Sequence, residues 1–258
     1  MPSTRSWPTL AETLLVGWGE HDVLTLTLNR PDRRNALNPE LLTALADALW
    51  REGHRAGAVV LRGAGDEAFS AGYDLSQLTG TATDLEADLF IGEAVRAIRE
   101  CPAPVIARLS GHCYGAGVEL ALTCDLRIGC GTVRMAVPAV SLGVVYRYEF
   151  IVRLVQLCGL SRAATLLLGM RELDGQAINA WGLFSEYTTE AELDTRTRQA
   201  AERLATSPRA AVRGTKASLN LLIARAVDDA DLAMAQSLRA EAASSPERKE
   251  ALDRRRKR

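Results

Sequence analysis

Two short stretches of this 258-residue chain set nearly bare backbone beside an acid: "EAFSAGYDL" over 67–75 and "GHCYGAGVEL" over 111–120. Glycine and alanine let a ligand approach the main chain, so that N–H groups can point at it. Where a helix starts just beyond, its unpaired amides and dipole favour negative charge at that spot. Two such loops brought together would form an oxyanion hole, a pair of donors that stabilises charge developing on a carbonyl oxygen. Glu119 is the acid placed to move protons beside such a hole. The pattern alone favours a first-turn acid that complements a helix dipole. Small residues at 115–117 could likewise serve only close helix packing, and Asp74 reads as a helix cap. His21, His54 and His112 are isolated and read as surface or satisfied polar groups, so no metal site is expected.

The elements that must hold these loops are legible in outline. In "DVLTLTLNRPDRRNALN" Leu24, Leu26 and Leu28 alternate with Thr25 and Thr27, the period of a half-buried strand, and Pro31 ends it. From Pro39 to about Arg55, Leu41, Leu45 and Leu49 recur at helical spacing behind an Asn38 cap and a first-turn proline. "AGAVVLRGAG" (56–65) and "PVIARLSG" (104–111) read as buried strands, each leading into one of the two loops, with a helix from about Asp84 to Glu100 between them. Beyond Arg147 the reading is helix after helix with no further strand. The fold class is therefore α/β. Residues 1–200 are read as a core carrying the active-site loops, and 201–258 as a helical extension of the same domain. Apolar stripes on such an extension call for a partner surface, hence an oligomer.

Bulk properties exclude several classes. With 47% hydrophobic residues the chain can fill a sizeable core, and a formal charge of −1 gives no field to draw a polyanion or an anionic membrane. Neither nucleic acid nor membrane is an expected partner. Cys101, Cys113, Cys124, Cys130 and Cys158 form no C-x-x-C pair, and several lie in apolar surroundings, which fits reduced thiols in the cytoplasm and not zinc. The N-terminus lacks the basic segment and apolar stretch of a signal peptide, and no apolar run approaches the length of a membrane span. The closing "RRRKR" reads as a solvated tail, with phosphate binding as the alternative.

The segments "NRPDRRNALN", "FSAGYDL", "PVIARLSGHCYGAGVELALTCDLRI" and "SLGV", in this order and spacing, resemble the enoyl-CoA hydratase/isomerase, or crotonase, superfamily over nearly the whole chain. The resemblance implies a crotonase fold of repeated ββα units that build two roughly perpendicular sheets. It also implies a C-terminal helical region that assembles trimers, often paired as hexamers, and a coenzyme A thioester as substrate with no cofactor. It assigns the two amides of the hole to Tyr73 and Ala116, and makes Glu119 the catalytic acid. It sets the adenine of coenzyme A near Arg34, Ala36 and Leu37, and the pantetheine arm near Ala71 and Leu75. Arg33 and Arg34 are candidate phosphate partners, or else exposed turn residues.

Three departures bear on the reaction. Hydratases of this family carry a second glutamate where this chain has Ala139, in "VPAVSLGVV". A bare turn after "LG" is replaced by "VVYRYEF", with Tyr146, Arg147, Tyr148 and Glu149. Tyr73 and Ala116 are themselves larger than the residues common at their positions. Hydration is served by two carboxylates, whereas double-bond isomerisation can be managed by one base. Decarboxylation of a malonyl-type thioester needs mainly the hole, and "LGVVY" is similar to a segment of methylmalonyl-CoA decarboxylases, which would make Tyr146 a pocket residue. Glu149 is a possible replacement acid. The expected activity is hydration or isomerisation of an enoyl-CoA. The alternatives are decarboxylation, or a CoA-ester binding protein that has lost catalysis.

Overall fold

The alternating leucines and threonines of the first strand pair sort their side chains between two layers. The structure, a computed structural model, describes residues 12–256. Strand β1 (Leu14–Trp18) runs antiparallel to β2 (Val23–Leu28), whose Leu24, Leu26 and Leu28 are buried in the main core. Helix α1 (Pro39–Glu52) follows. The Asn38 side chain accepts the Leu41 amide at 3.0 Å, and Leu41, Leu42, Leu45 and Leu49 are buried. Asn38→Ala removes the acceptor for one otherwise orphaned N–H and is expected to lower unfolding free energy by about 1 kcal/mol in a denaturant titration.

A unit of long strand, short strand and helix then repeats. Strands β3 (Ala58–Gly63) and β4 (Ala68–Ser70) precede α2 (Ala87–Glu100); β5 (Val105–Leu109) and β6 (His112–Tyr114) precede α3 (Ala116–Thr123); β7 (Leu126–Cys130) and β8 (Arg134–Ala136) precede α4 (Tyr148–Cys158). Next come α5 (Leu160–Leu167), β9 (Leu173–Asp174), α6 (Gly175–Ala180) and β10 (Glu186–Thr188). The chain then continues through α7 (Leu193–Ala205), α8 (Arg209–Arg225), α9 (Asp229–Ser244) and α10 (Pro246–Arg256). The long strands form a six-stranded sheet in the order β1-β2-β3-β5-β7-β10, parallel except at β1, and the short strands form a second sheet, β4-β6-β8-β9. Two sheets and a helical C-terminal region are the architecture the resemblance implies.

The main core lies on one face of the large sheet, beneath α1, α2 and α3. Its other face, through Val23, Ala58, Val60, Ile106 and Ile128, is covered by Leu193, Ala200, Ala201 and Ala205 of α7. Burial on both faces explains why β3 and β5 read as continuous apolar runs. The expectation of no strand beyond Arg147 is corrected by β9 and β10. Both are two or three residues long and are held by pairing to β8 and β7, so neither spans enough sequence to show a period of its own.

The C-terminal helices are tied into this frame. Lys216 Nζ of α8 donates to the carbonyls of Ile98 (3.0 Å) and Ala103 (3.1 Å) and pairs with Asp125 at 2.7 Å. Of the basic tail, Arg254 is exposed near the end of α10, and residues 257 and 258 lie outside the described residues. Among the described residues no helix is long and apolar enough to cross a membrane.

Candidate functional site

Because β4 and β6 are parallel neighbours in the small sheet, the loops that follow them emerge side by side. Gly72 (φ 90°) and Gly115 (φ 54°) face each other across the gap. A Cβ on Gly72 would fall 2.8 Å from the Tyr114 carbonyl oxygen and 3.4 Å from Gly115 Cα. Both φ values lie in the region glycine enters without penalty, so conformation favours glycine at both positions, and at Gly72 the close approach of the second loop requires it as well. Gly117 has a different reason to be small: a Cβ there would meet Ser70 Cβ at 2.8 Å, so α3 packs directly on the first loop.

The first loop is fixed by residues that the sequence reading did not single out. Asn35, fully buried at φ 54°, donates to the carbonyls of Ala64 (3.1 Å) and Ala68 (2.8 Å). The Ser70 hydroxyl donates to the Asn35 carbonyl at 2.8 Å and accepts the Gly72 amide at 3.1 Å. Arg30 reaches Asp74 at 2.9 Å, and Asp74 also caps the short turn at Leu75–Gln77. The backbone of 34–37 runs beside 71–74: Ala71 N donates to Arg34 O, Leu37 N to Gly72 O and Asp74 N to Leu37 O, each at 2.8 Å. Within this ladder the Tyr73 amide has no acceptor among the described residues. The Ala116 amide, at the first position of α3, has none either. An asparagine tolerant of left-handed backbone, set just before an apolar pair, is the one sequence signal from which this clamp could have been found.

A cavity of about 170 Å³ opens beside these two amides. Of the expected site residues, Ala71, Tyr73, Leu75, Ala116, Glu119 and Tyr146 line it, and so does Ala139. Arg34, Ala36, Leu37 and Glu149 do not. Ala36 and Leu37 are buried, Arg34 is exposed on the outer side of the loop, and Glu149 sits partly exposed in the first turn of α4. Ala139, 5% exposed, contributes only a methyl group to the cavity wall. The Tyr146 hydroxyl lies 3.4 Å from where a Cβ of Gly115 would be, and its ring tilts against Phe150 at 5.1 Å between centroids. Burial, followed by the nearby Glu119 charge, pushes the Tyr146 phenol well above its ordinary value and keeps it neutral.

Three carboxylates line the cavity, and each has its own guanidinium. Glu119 pairs with Arg147, Asp88 of α2 with Arg239 of α9, and Asp84 with Arg248 of α10 at 2.7 Å. The wall therefore carries balanced charge, and its far side is built from the chain's last helices. Glu119 is 2% exposed. Burial pushes its carboxyl above the ordinary carboxylate value, against the opposing pull of Arg147. For Arg147 burial works downward, but the Glu119 charge and hydrogen bond outweigh it and hold the guanidinium above its usual value. Among the described residues no group of three His, Cys, Asp or Glu side chains converges as metal ligands would.

Known proteins share this arrangement of chain. The sequence profile described as enoyl-CoA hydratase/isomerase matches residues 19–258. A short-chain-enoyl-CoA hydratase of Clostridium acetobutylicum is 30% identical over 206 residues, 78% of each chain. A 1,2-epoxyphenylacetyl-CoA isomerase of Escherichia coli is 32% identical over 197 residues, 73% of this chain and 75% of its own. A solved methylmalonyl-CoA decarboxylase, in complex with 2-nitronate-propionyl-CoA, shares the fold with a TM-score of 0.88 over 95% of each chain, at 23% identity. The matched span takes in both glycine loops, the buried acid and the C-terminal helices that close the cavity, and the chain belongs to the enoyl-CoA hydratase/isomerase family.

Proposed function

We propose that the chain binds a coenzyme A thioester with its carbonyl oxygen against the Tyr73 and Ala116 amides and, through Glu119, moves the double bond of an enoyl-CoA. The observation that carries this reading is the pair of unengaged amides on converging loops, beside a cavity that the buried Glu119 carboxylate also lines. Glu119 takes a proton from the carbon between the thioester carbonyl and the double bond of a 3-enoyl thioester. The electrons spread onto the carbonyl oxygen as a dienolate, which two fixed donors stabilise, each worth about 3–4 kcal/mol. Return of the proton to the far end of the conjugated system gives the 2-enoyl isomer, and one base serves both transfers. Ala139 is why isomerisation is preferred here to hydration, since it offers no group to orient and deprotonate a water.

Decarboxylation of a malonyl-type thioester is the second reading, favoured by the Tyr146 hydroxyl beside Gly115. In either case Arg33 and Arg34, exposed next to the loop, would meet the nucleotide phosphates. Bound thioester, without a further cofactor, suffices for this chemistry. The exposed Leu219, Leu221 and Leu222 of α8 and Met234 and Leu238 of α9 support a trimer or a hexamer. Five free cysteines support a reducing cytoplasm.

The test is a panel of enoyl- and malonyl-type thioesters followed by mass and by absorbance of the conjugated enoyl group. The expected result is a 3-enoyl substrate that gains conjugation at unchanged mass. Gain of water would assign hydration, loss of CO₂ decarboxylation, and binding with no turnover of any thioester would overturn the enzymatic reading.

A further inference from the structure

Two donors of one guanidinium converge on a single oxygen of Glu119. Arg147 Nε donates to Oε1 at 3.0 Å, Nη2 donates to the same atom, and Oε2 has no hydrogen-bond partner among the described residues. A fork-to-fork pair would have engaged both oxygens. Here one is fixed and the other, on a residue that lines the cavity, is left for a ligand. The surroundings are shaped for this. Arg147 caps the start of α4 in extended backbone, and its Nη1 lies against Gly92 of α2, where a Cβ would come within 3.0 Å. Glycine in a helix interior costs about 1 kcal/mol relative to alanine, and at this position it clears the space the guanidinium occupies.

We propose that Arg147 is the positioning residue for Glu119, holding Oε1 so that Oε2 alone exchanges protons with the bound thioester. This deepens the reading of Glu119 as the base and rests on it. Fixing one oxygen orients the other and removes the rotational freedom of the carboxylate, which is how a side chain that never touches substrate raises turnover. The guanidinium also sets the charge of the base. The other charged or titratable groups that face Glu119 are Asp88 from α2, itself paired with Arg239 of α9, Glu149 from α4, and the Tyr146 phenol. Burial, Asp88 and Glu149 all push the Glu119 carboxyl upward, and Arg147 opposes them. Without that cation the base stays protonated to higher pH.

The experiment is the pH profile of kcat/KM for Arg147→Met, Arg147→Lys and Gly92→Ala, with Glu119→Gln as control and thermal unfolding as the check of folding. Arg147→Met is expected to move the acid limb to higher pH, with turnover below the limb falling about tenfold per pH unit moved and KM little changed. Arg147→Lys restores a point charge without the planar fork, so the limb returns toward its place while kcat stays low. Gly92→Ala keeps the charge and displaces the fork, lowering kcat with little movement of the limb, and it supplies a test if the Arg147 variants do not fold. An unmoved limb in Arg147→Met, with kcat within about twofold of the parent, would overturn the proposal even though Glu119→Gln is inactive. An active Glu119→Gln would instead remove the reading of Glu119 on which it stands.

Discussion

Glu119→Gln is expected to lower turnover of an enoyl thioester by about 10²–10⁴-fold while thioester affinity stays near its starting value. The amide keeps the shape of the carboxylate and can still accept from Arg147, but it cannot take a proton at neutral pH. A drop in kcat at constant Kd is what the loss of a proton-transfer group gives, because on the proposed reading the thioester carbonyl is held by the Tyr73 and Ala116 amides and not by Glu119. The substitution also leaves a largely buried guanidinium without its counter-charge, and breaking a buried pair from one side costs about 3–5 kcal/mol. Turnover must therefore be read together with the unfolding midpoint. The double variant Glu119→Gln/Arg147→Met removes both charges and should recover much of that stability while remaining inactive. Turnover in Glu119→Gln within about tenfold of the parent would place the proton transfer on another group.

The second large effect is expected at Gly72, which carries no functional group. A methyl there must fit a backbone at φ 90° and lies 2.8 Å from the Tyr114 carbonyl oxygen, so one of the two glycine loops has to move. The next amide in the chain is that of Tyr73. Misplacing one donor of an oxyanion hole costs about 10²–10³ in kcat, and Gly72→Ala should lose at least that much. Gly65 supplies the control, because it also has positive φ, 69°, but nothing within 4 Å of an added Cβ. Gly65→Ala bears only the conformational strain, about 1–3 kcal/mol of stability, with activity retained in the folded fraction. Equal losses of kcat in the two variants would mean that the convergence of the loops does not matter to turnover.

The two loops and the buried acid were readable in the sequence because each obeys a local rule: bare backbone after a strand, then a helix start. The strand at 23–28 and the helix from Pro39 were readable for the same reason, as alternation and capping are properties of neighbouring residues. What could not be read is pairing at a distance. Nothing in "VVYRYEF" says that Arg147 turns onto Glu119 while Glu149, two residues on, does not line the cavity. Periodicity places residues on faces, and which arginine meets which acid is settled only when the faces meet. Strands β9 and β10 were lost in a helical run because their identity lies in their partners. Asn35 and Ser70 went unremarked because buried polar residues that hold a loop look, in sequence, like ordinary turn residues.

The pairs Asp88–Arg239 and Asp84–Arg248 join positions 151 and 164 residues apart. Contacts of that sequence separation bear a larger loop-closure cost than neighbouring turns do. Gly72, Gly115 and Glu119 all lie in the first half of the chain, whereas the wall facing them is supplied by its end. Closure of the cavity is thus a property of the whole chain: replacing Arg239 or Arg248 alters its wall without touching either glycine loop or Glu119.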